Sequence, residues 1–124
     1  MDLYASLDDD VDSIVIGPND SKKVNSGIKV QVPLGYGLFI YVRSGLAAKY
    51  ATTLSNSVAV IDHGYSEEIV ILLTNHGKKA LTINHGDRIA QCVLYKLPEI
   101  VFEEVDSFDE NAYNRGGGMG STGQ

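Results

Sequence analysis

An all-β fold of sandwich, barrel or jelly-roll type is predicted by three features of this sequence. Apolar and polar residues alternate with period two along Gly27-Ile28-Lys29-Val30-Gln31-Val32-Pro33, as in a strand with one buried face. Leu38-Phe39-Ile40-Tyr41-Val42 and Glu68-Ile69-Val70-Ile71-Leu72-Leu73 are continuous apolar runs of strand length, which fit buried strands. Turn residues punctuate the chain between such runs, a spacing that leaves little room for helix.

In chain order, Gly17-Pro18-Asn19-Asp20 is the first strong turn signal, and Pro33-Leu34-Gly35 separates the alternating strand from the apolar run at 38–42. Residues 45–54 form the one helical candidate, because Ala47, Ala48, Ala51 and Leu54 could share a face; it is a few turns at most. Asp62-His63-Gly64, Asn75-His76-Gly77-Lys78 and Asn84-His85-Gly86-Asp87 are further turns, and the run at 89–94 holds the single cysteine, Cys92. A lone thiol in an apolar run reads as buried and inert, with no internal disulfide available. Residues 99–110 carry six acidic side chains in twelve, the composition of a solvated linker or an edge strand. The last eleven residues, 114–124, contain five glycines and, apart from Met119, nothing that packs. The chain therefore divides into a β domain over 1–110 and a flexible Gly-rich arm over 111–124.

With 124 residues, one domain with a real core is expected, and a net charge of −6 argues against a protein that coats nucleic acid. No apolar run approaches the roughly 20 residues that span a bilayer, so a cytoplasmic protein without a membrane partner is expected. A small anionic ligand stays possible where donors cluster locally.

Two donor clusters stand out. The glycines of the tail allow backbone amides to approach a polyphosphate, and Arg115, Ser121 and Thr122 add a guanidinium and two hydroxyls. Arg43-Ser44-Gly45 follows an apolar strand directly. Each has a plain alternative, a flexible tail and a strand-to-loop turn. Val60-Ile61-Asp62-His63-Gly64-Tyr65 sets one carboxylate and one aromatic in a turn between apolar strands, where an Asp commonly just bonds to backbone amides. The three histidines lie in turns without a Cys partner or an i, i+4 pair, which speaks against zinc. Carboxylates beside phosphates suit Mg²⁺.

Taken in order, five segments resemble the five motifs of the trimeric dUTPase family: Asp2-Leu3-Tyr4-Ala5, Arg43-Ser44-Gly45-Leu46-Ala47, the stretch from Asn56 through Asp62 to Tyr65 with Glu68-Ile69, Gly86-Asp87-Arg88-Ile89-Ala90-Gln91, and the tail from Arg115 to Gly123. The resemblance implies a jelly-roll-like distorted β-barrel of the β-clip type, assembled as a homotrimer with shared active sites. It also implies hydrolysis of dUTP to dUMP and pyrophosphate with Mg²⁺. Residue by residue, Asp62 matches the carboxylate that orients and deprotonates the attacking water, and Tyr65 the ring that excludes a ribose 2′-hydroxyl. Asn56 and Val60 match the uracil-reading hairpin, and Arg43, Ser44, Gly45 and Gln91 the phosphate-binding positions. Asp2 matches a carboxylate that holds the metal through water. Arg115, Gly118, Met119, Gly120, Ser121 and Thr122 match the arm that closes over the γ-phosphate and base.

Some positions depart from that pattern. Asp2 stands at the start of the sequence without the Ala-Gly and strand that precede it in the family, which leaves an open strand edge expected there. Ala59 replaces a Gly, Ser66-Glu67 replaces Arg-Gly, and Met119 replaces a Phe that stacks on uracil. A thioether is a softer contact with a ring, so weaker arm closure is expected. The related dCTP deaminases share the Arg-Ser and Ile-Asp elements but need a carboxylate where this chain has Leu72. A non-catalytic relative that uses the same pocket to bind a protein is the other alternative, and the near-complete set of motif residues favours catalysis over it.

Overall fold

The computed structural model describes residues 1–107 and 109. Among these residues nine strands and one short helix follow one another: β1 (Asp2–Tyr4), β2 (Ser13–Ile16), β3 (Ser21–Lys29), β4 (Tyr36–Val42), α1 (Ser44–Tyr50), β5 (Thr52–Leu54), β6 (Ala59–Ile61), β7 (Glu68–Asn75), β8 (Leu81–Asn84) and β9 (Arg88–Lys96). All-β is thus the fold class. The strands form three antiparallel ladders, ordered β1-β9-β4-β6, β2-β8 and β3-β7-β5. Among the described residues these ladders do not join into one closed barrel.

The core lies where the three ladders face one another. Leu3, Ile40, Ile61 and Cys92 come from the first, Ile16, Leu81 and Ile83 from the second, and Val24, Ile69, Ile71 and Leu73 from the third. The apolar run at 68–75 hides a period of two, since Ile69, Ile71, Leu73 and Asn75 are buried while the residues between them are half-buried. Cys92 is free and 4% exposed, as the sequence implies.

The turn signals fall between elements, with Asn75 and Asn84 themselves the last residues of β7 and β8. Gly35, Gly64 and Gly86 have φ of 78°, 96° and 79° there, a region open to glycine at little steric cost. Two expectations need correction. The alternation at 27–33 is not one strand, because β3 starts at Ser21 and its ladder stops at Lys29 after a register shift. Gly27, at φ 67°, bends the strand there, and Pro33 has no N–H for a ladder. The helix is also shorter than 45–54. Ala51 adopts a left-handed conformation at φ 50°, donates its N–H to the Ala47 carbonyl, and releases Thr52–Leu54 to pair with β7. Residues 99–107 contain no strand and are exposed, so of the two readings of the acidic segment the linker holds for these residues. The boundary expected between residues 110 and 111 lies outside the described residues. No helix among the described residues is long and apolar enough to cross a membrane.

Candidate functional site

The outward face of the β1-β9-β4-β6 sheet gathers three of the sequence motifs. In the ladder Asp2 stands opposite Gln91, and Gln91 opposite Tyr41, so all three point to the same side. Arg43 follows β4 immediately and turns its side chain back, with Nε 3.3 Å from Asp2 Oδ1. Arg88, the first residue of β9, brings Nη1 to 3.4 Å from Asp2 Oδ2. The two oxygens of Asp2 are therefore divided between two guanidinium groups, which neutralise it and fix its plane. Gln91 donates from Nε2 to the Val42 carbonyl at 3.5 Å. Ser44 and Gly45 are exposed at the start of α1, and Arg43 caps that helix in extended geometry, its carbonyl accepting from Leu46 and Ala47. A polar cleft of about 300 Å³ opens beside Arg43 and Arg88.

Arg88 lies within the fourth motif, but the sequence gives it no role. Its partner lies 86 residues away, on a strand of three residues, and nothing local marks the pair.

The third motif runs the length of β6. Asn56 lies in the turn that joins β5 to β6, where Ser57 takes φ 64° and donates to the Leu54 carbonyl. A cleft of about 490 Å³ adjoins this turn, lined by Val42, Leu54, Ser55 and Ser57 among others. Val60 pairs with Phe39 and is half exposed on the outward face. Asp62 and Tyr65 occupy the corner after β6. The Tyr65 N–H points to the Asp62 carbonyl at 3.4 Å, and with Gly64 at φ 96° the corner has the form of a type II turn. Asp62 is exposed, and the Tyr65 hydroxyl donates to the Glu68 carbonyl at 2.8 Å. The expected hairpin is not formed by ladder pairing: β6 pairs with β4, whereas β5 and β7 pair with each other in a different sheet. The stretch from Thr52 to Asn75 thus crosses between sheets.

The register also separates the groups that the sequence motifs would bring together. Ile61 pairs with Leu38, so Asp62 lies beside Gly37, six residues before Arg43. At about 3.3 Å per residue, Asp62 and Arg43 of one chain are about 20 Å apart along β4. That is far beyond the distance of about 3 Å at which a base stands from the proton it takes.

No group of three His, Cys, Asp or Glu side chains among the described residues could hold a metal directly. Asp2 fits a water-mediated role instead, since its oxygens are already engaged and Mg²⁺ characteristically keeps several waters while it binds carboxylate and phosphate. Arg115, Gly118, Met119, Gly120, Ser121 and Thr122 lie outside the described residues.

An all-β protein with guanidinium, hydroxyl and amide donors collected at one end of a sheet is suited to a phosphorylated small molecule. Residues 1–123 match the profile of the dUTPase family. The chain is 42% identical over 127 residues to the deoxyuridine 5′-triphosphate nucleotidohydrolase of Desulfitobacterium hafniense strain DCB-2, covering 99% of this chain and 80% of that one. Its fold is that of a Staphylococcus bacteriophage 80alpha dUTPase solved with dUPNHPP, at a TM-score of 0.83 and 22% identity, over 99% of this chain and 85% of that one. A dUTPase from phage phi11 of S. aureus, described with a structural Mg(II) ion, superposes with a TM-score of 0.75 at 20% identity over 87% of this chain and 83% of the other. The chain belongs to the dUTPase family.

Proposed function

We propose that this protein hydrolyses dUTP to dUMP and pyrophosphate by attack of water on the α-phosphorus, in sites shared between the subunits of a homotrimer. Family membership across 1–123 supports the reaction, as does the dUTP-analogue complex of the phage relative. The single observation that carries the shared site is the separation of about 20 Å between Asp62 and Arg43 along β4. A base from one chain and phosphate donors from another satisfy both roles, and a single chain does not.

The outward sheet face supports the same reading. Next to Asp2 and Gln91 it becomes apolar, with Phe39, Val60, Val93 and Tyr95 exposed or half-buried and the Phe39 and Tyr95 rings edge to face at 5.3 Å. Such a surface is costly in water and is relieved by covering it with another subunit.

In this mechanism Arg43, Ser44, Gly45 and Gln91 hold the phosphate chain, while Asn56 and Val60 border the uracil pocket. Tyr65 lies against the deoxyribose and leaves no space for a 2′-hydroxyl. Asp62 accepts a proton from the attacking water, and pyrophosphate leaves from the α-phosphorus. Mg²⁺, reached by Asp2 through water, would neutralise and shape the phosphates. Arg115, Gly118, Met119, Gly120, Ser121 and Thr122 close over the γ-phosphate and base.

Purified protein supplied with Mg²⁺ is expected to release pyrophosphate from dUTP far faster than from UTP, dTTP or dCTP. Comparable turnover of UTP would overturn the role of Tyr65, and no release from dUTP would overturn the reaction.

A further inference from the structure

Among the described residues, the corner that carries Asp62 and Tyr65 is held to the protein by few bonds. Between the end of β6 at Ile61 and the start of β7 at Glu68, one contact is internal to the corner, from the Tyr65 N–H to the Asp62 carbonyl at 3.4 Å. A second, from the Tyr65 hydroxyl to the Glu68 carbonyl, reaches only the adjoining strand end. The ion pair between Lys29 and Glu67 is 3.8 Å long with both side chains mostly exposed, and pairs of that kind contribute little. The remaining bond is different. His63 Nδ1 lies 3.0 Å from the carbonyl oxygen of Val32, a residue 31 positions away whose side chain is 3% exposed and packed in the core. Val32 sits in the connection between β3 and β4, where its carbonyl has no ladder partner. The bond satisfies that acceptor and pins the corner to the interior.

We infer that His63 is a positioning residue, whose ring tethers the Asp62–Tyr65 corner to the Val32 carbonyl and so sets where the base and the sugar-facing ring stand. A carbonyl can only accept, so Nδ1 carries the hydrogen. It does so in the protonated ring as well as in one neutral tautomer, and the tether therefore survives a change in ring charge. The contact that the ring makes is with Val32, so the histidine anchors the corner without entering the reaction. Without the tether, the corner would open locally at low cost. What Asp62 and Tyr65 do rests on the hydrolase reading above; the tether itself does not.

The test compares wild-type protein with His63→Ala, His63→Asn and His63→Gln. Asparagine places an amide N–H close to the position of Nδ1, and glutamine carries it one carbon too far. For His63→Ala we expect faster amide exchange over residues 62–67, a melting temperature near that of wild type, and a smaller preference for dUTP over UTP. We also expect kcat on dUTP to fall by about 10- to 100-fold, the scale of an ångström's misplacement of a catalytic group. His63→Asn should recover most of both losses and His63→Gln little. Wild-type kcat in His63→Ala would overturn the inference, as would an asparagine variant no better than the glutamine one. Should His63→Ala fail to fold, the comparison of asparagine with glutamine decides. If wild-type protein does not turn over dUTP, the hydrolase reading falls and exchange over 62–67 alone decides the tether, with unchanged protection in the variants overturning it.

Discussion

In the proposed reaction the chemistry turns on Asp62. It is exposed at a corner, with its backbone carbonyl and not its carboxylate engaged in the turn. Asp62→Asn is expected to keep nucleotide binding while lowering kcat by at least about 10²-fold, since the amide can hold a water but cannot accept its proton. Single-turnover rates near those of wild type would leave Asp62 a turn residue and nothing more. Cys92 makes the opposite case, a reactive group type rendered inert. Burial pushes its thiol up from the ordinary range, against a smaller lowering effect from the terminal ammonium nearby. As pH rises, the unfolded chain therefore gives up this proton before the folded one. The contribution to stability is intact below the usual thiol range and falls away as pH climbs toward the raised folded value. Native protein is expected to resist alkylation at pH 8 that labels the unfolded chain, and Cys92→Val to flatten the alkaline loss of thermal stability; rapid native labelling would contradict both.

At the scale of elements, side-chain junctions between loops and strand ends add to what the ladders of the short strands supply. Asn75, fully buried at the end of β7, shows how: its Nδ2 donates to the Ile16 and Lys79 carbonyls at 2.9 and 2.8 Å, and its Oδ1 accepts from the Gly77 N–H at 2.9 Å. One side chain thus joins the end of β2, the end of β7 and the loop before β8. Gly77 completes the junction, because a Cβ there would run into the Tyr50 carbonyl oxygen at the end of α1. Asn75→Ala strands three backbone groups, and a loss of roughly 3 kcal/mol is expected from groups that each cost 1–3 when unsatisfied. Thermal unfolding at fixed protein concentration measures it. A change under about 0.5 kcal/mol, the range of an ordinary surface substitution, would mean that water replaces the side chain without penalty.

For the whole molecule, the decisive quantity is the length of β4. It keeps Asp62 and Arg43 of one chain apart, and in the proposed trimer assembly brings the base of one subunit to the phosphate donors of another. The arm adds a third contribution, if Arg115 serves a site whose Asp62 belongs to another subunit. Mixing Asp62→Asn with Arg115→Ala, then unfolding and refolding them together, tests this. Under threefold symmetry with equal mixing, roughly a quarter of wild-type activity should return. A mixture no more active than its parents, with mixed trimers demonstrated by mass spectrometry, would mean that Asp62 and Arg115 meet within one chain.

The sequence alone determined what depends on neighbours along the chain. Strand class follows from period-two runs, corners from clusters of Gly, Pro, Asn and Asp, in which Asn19, Gly35, Gly64 and Gly86 take positive φ, and a buried thiol from the apolar residues around Cys92. The five motifs in order carried the family. Pairing and partnership were decided elsewhere. That Asp2 is clamped by Arg88 across 86 residues, that β6 joins β4 instead of β5 or β7, and that Thr52–Leu54 leaves a helical pattern to pair with β7 are all long-range choices. Local signals are similar for the alternatives in each case, and the outcome is set by which strands bury their apolar faces together. His63 makes the same point at the site itself. Its place in a turn was visible in the sequence, but its purpose depends on a carbonyl 31 residues away that has no other partner among the described residues, and only the packed chain puts the two side by side.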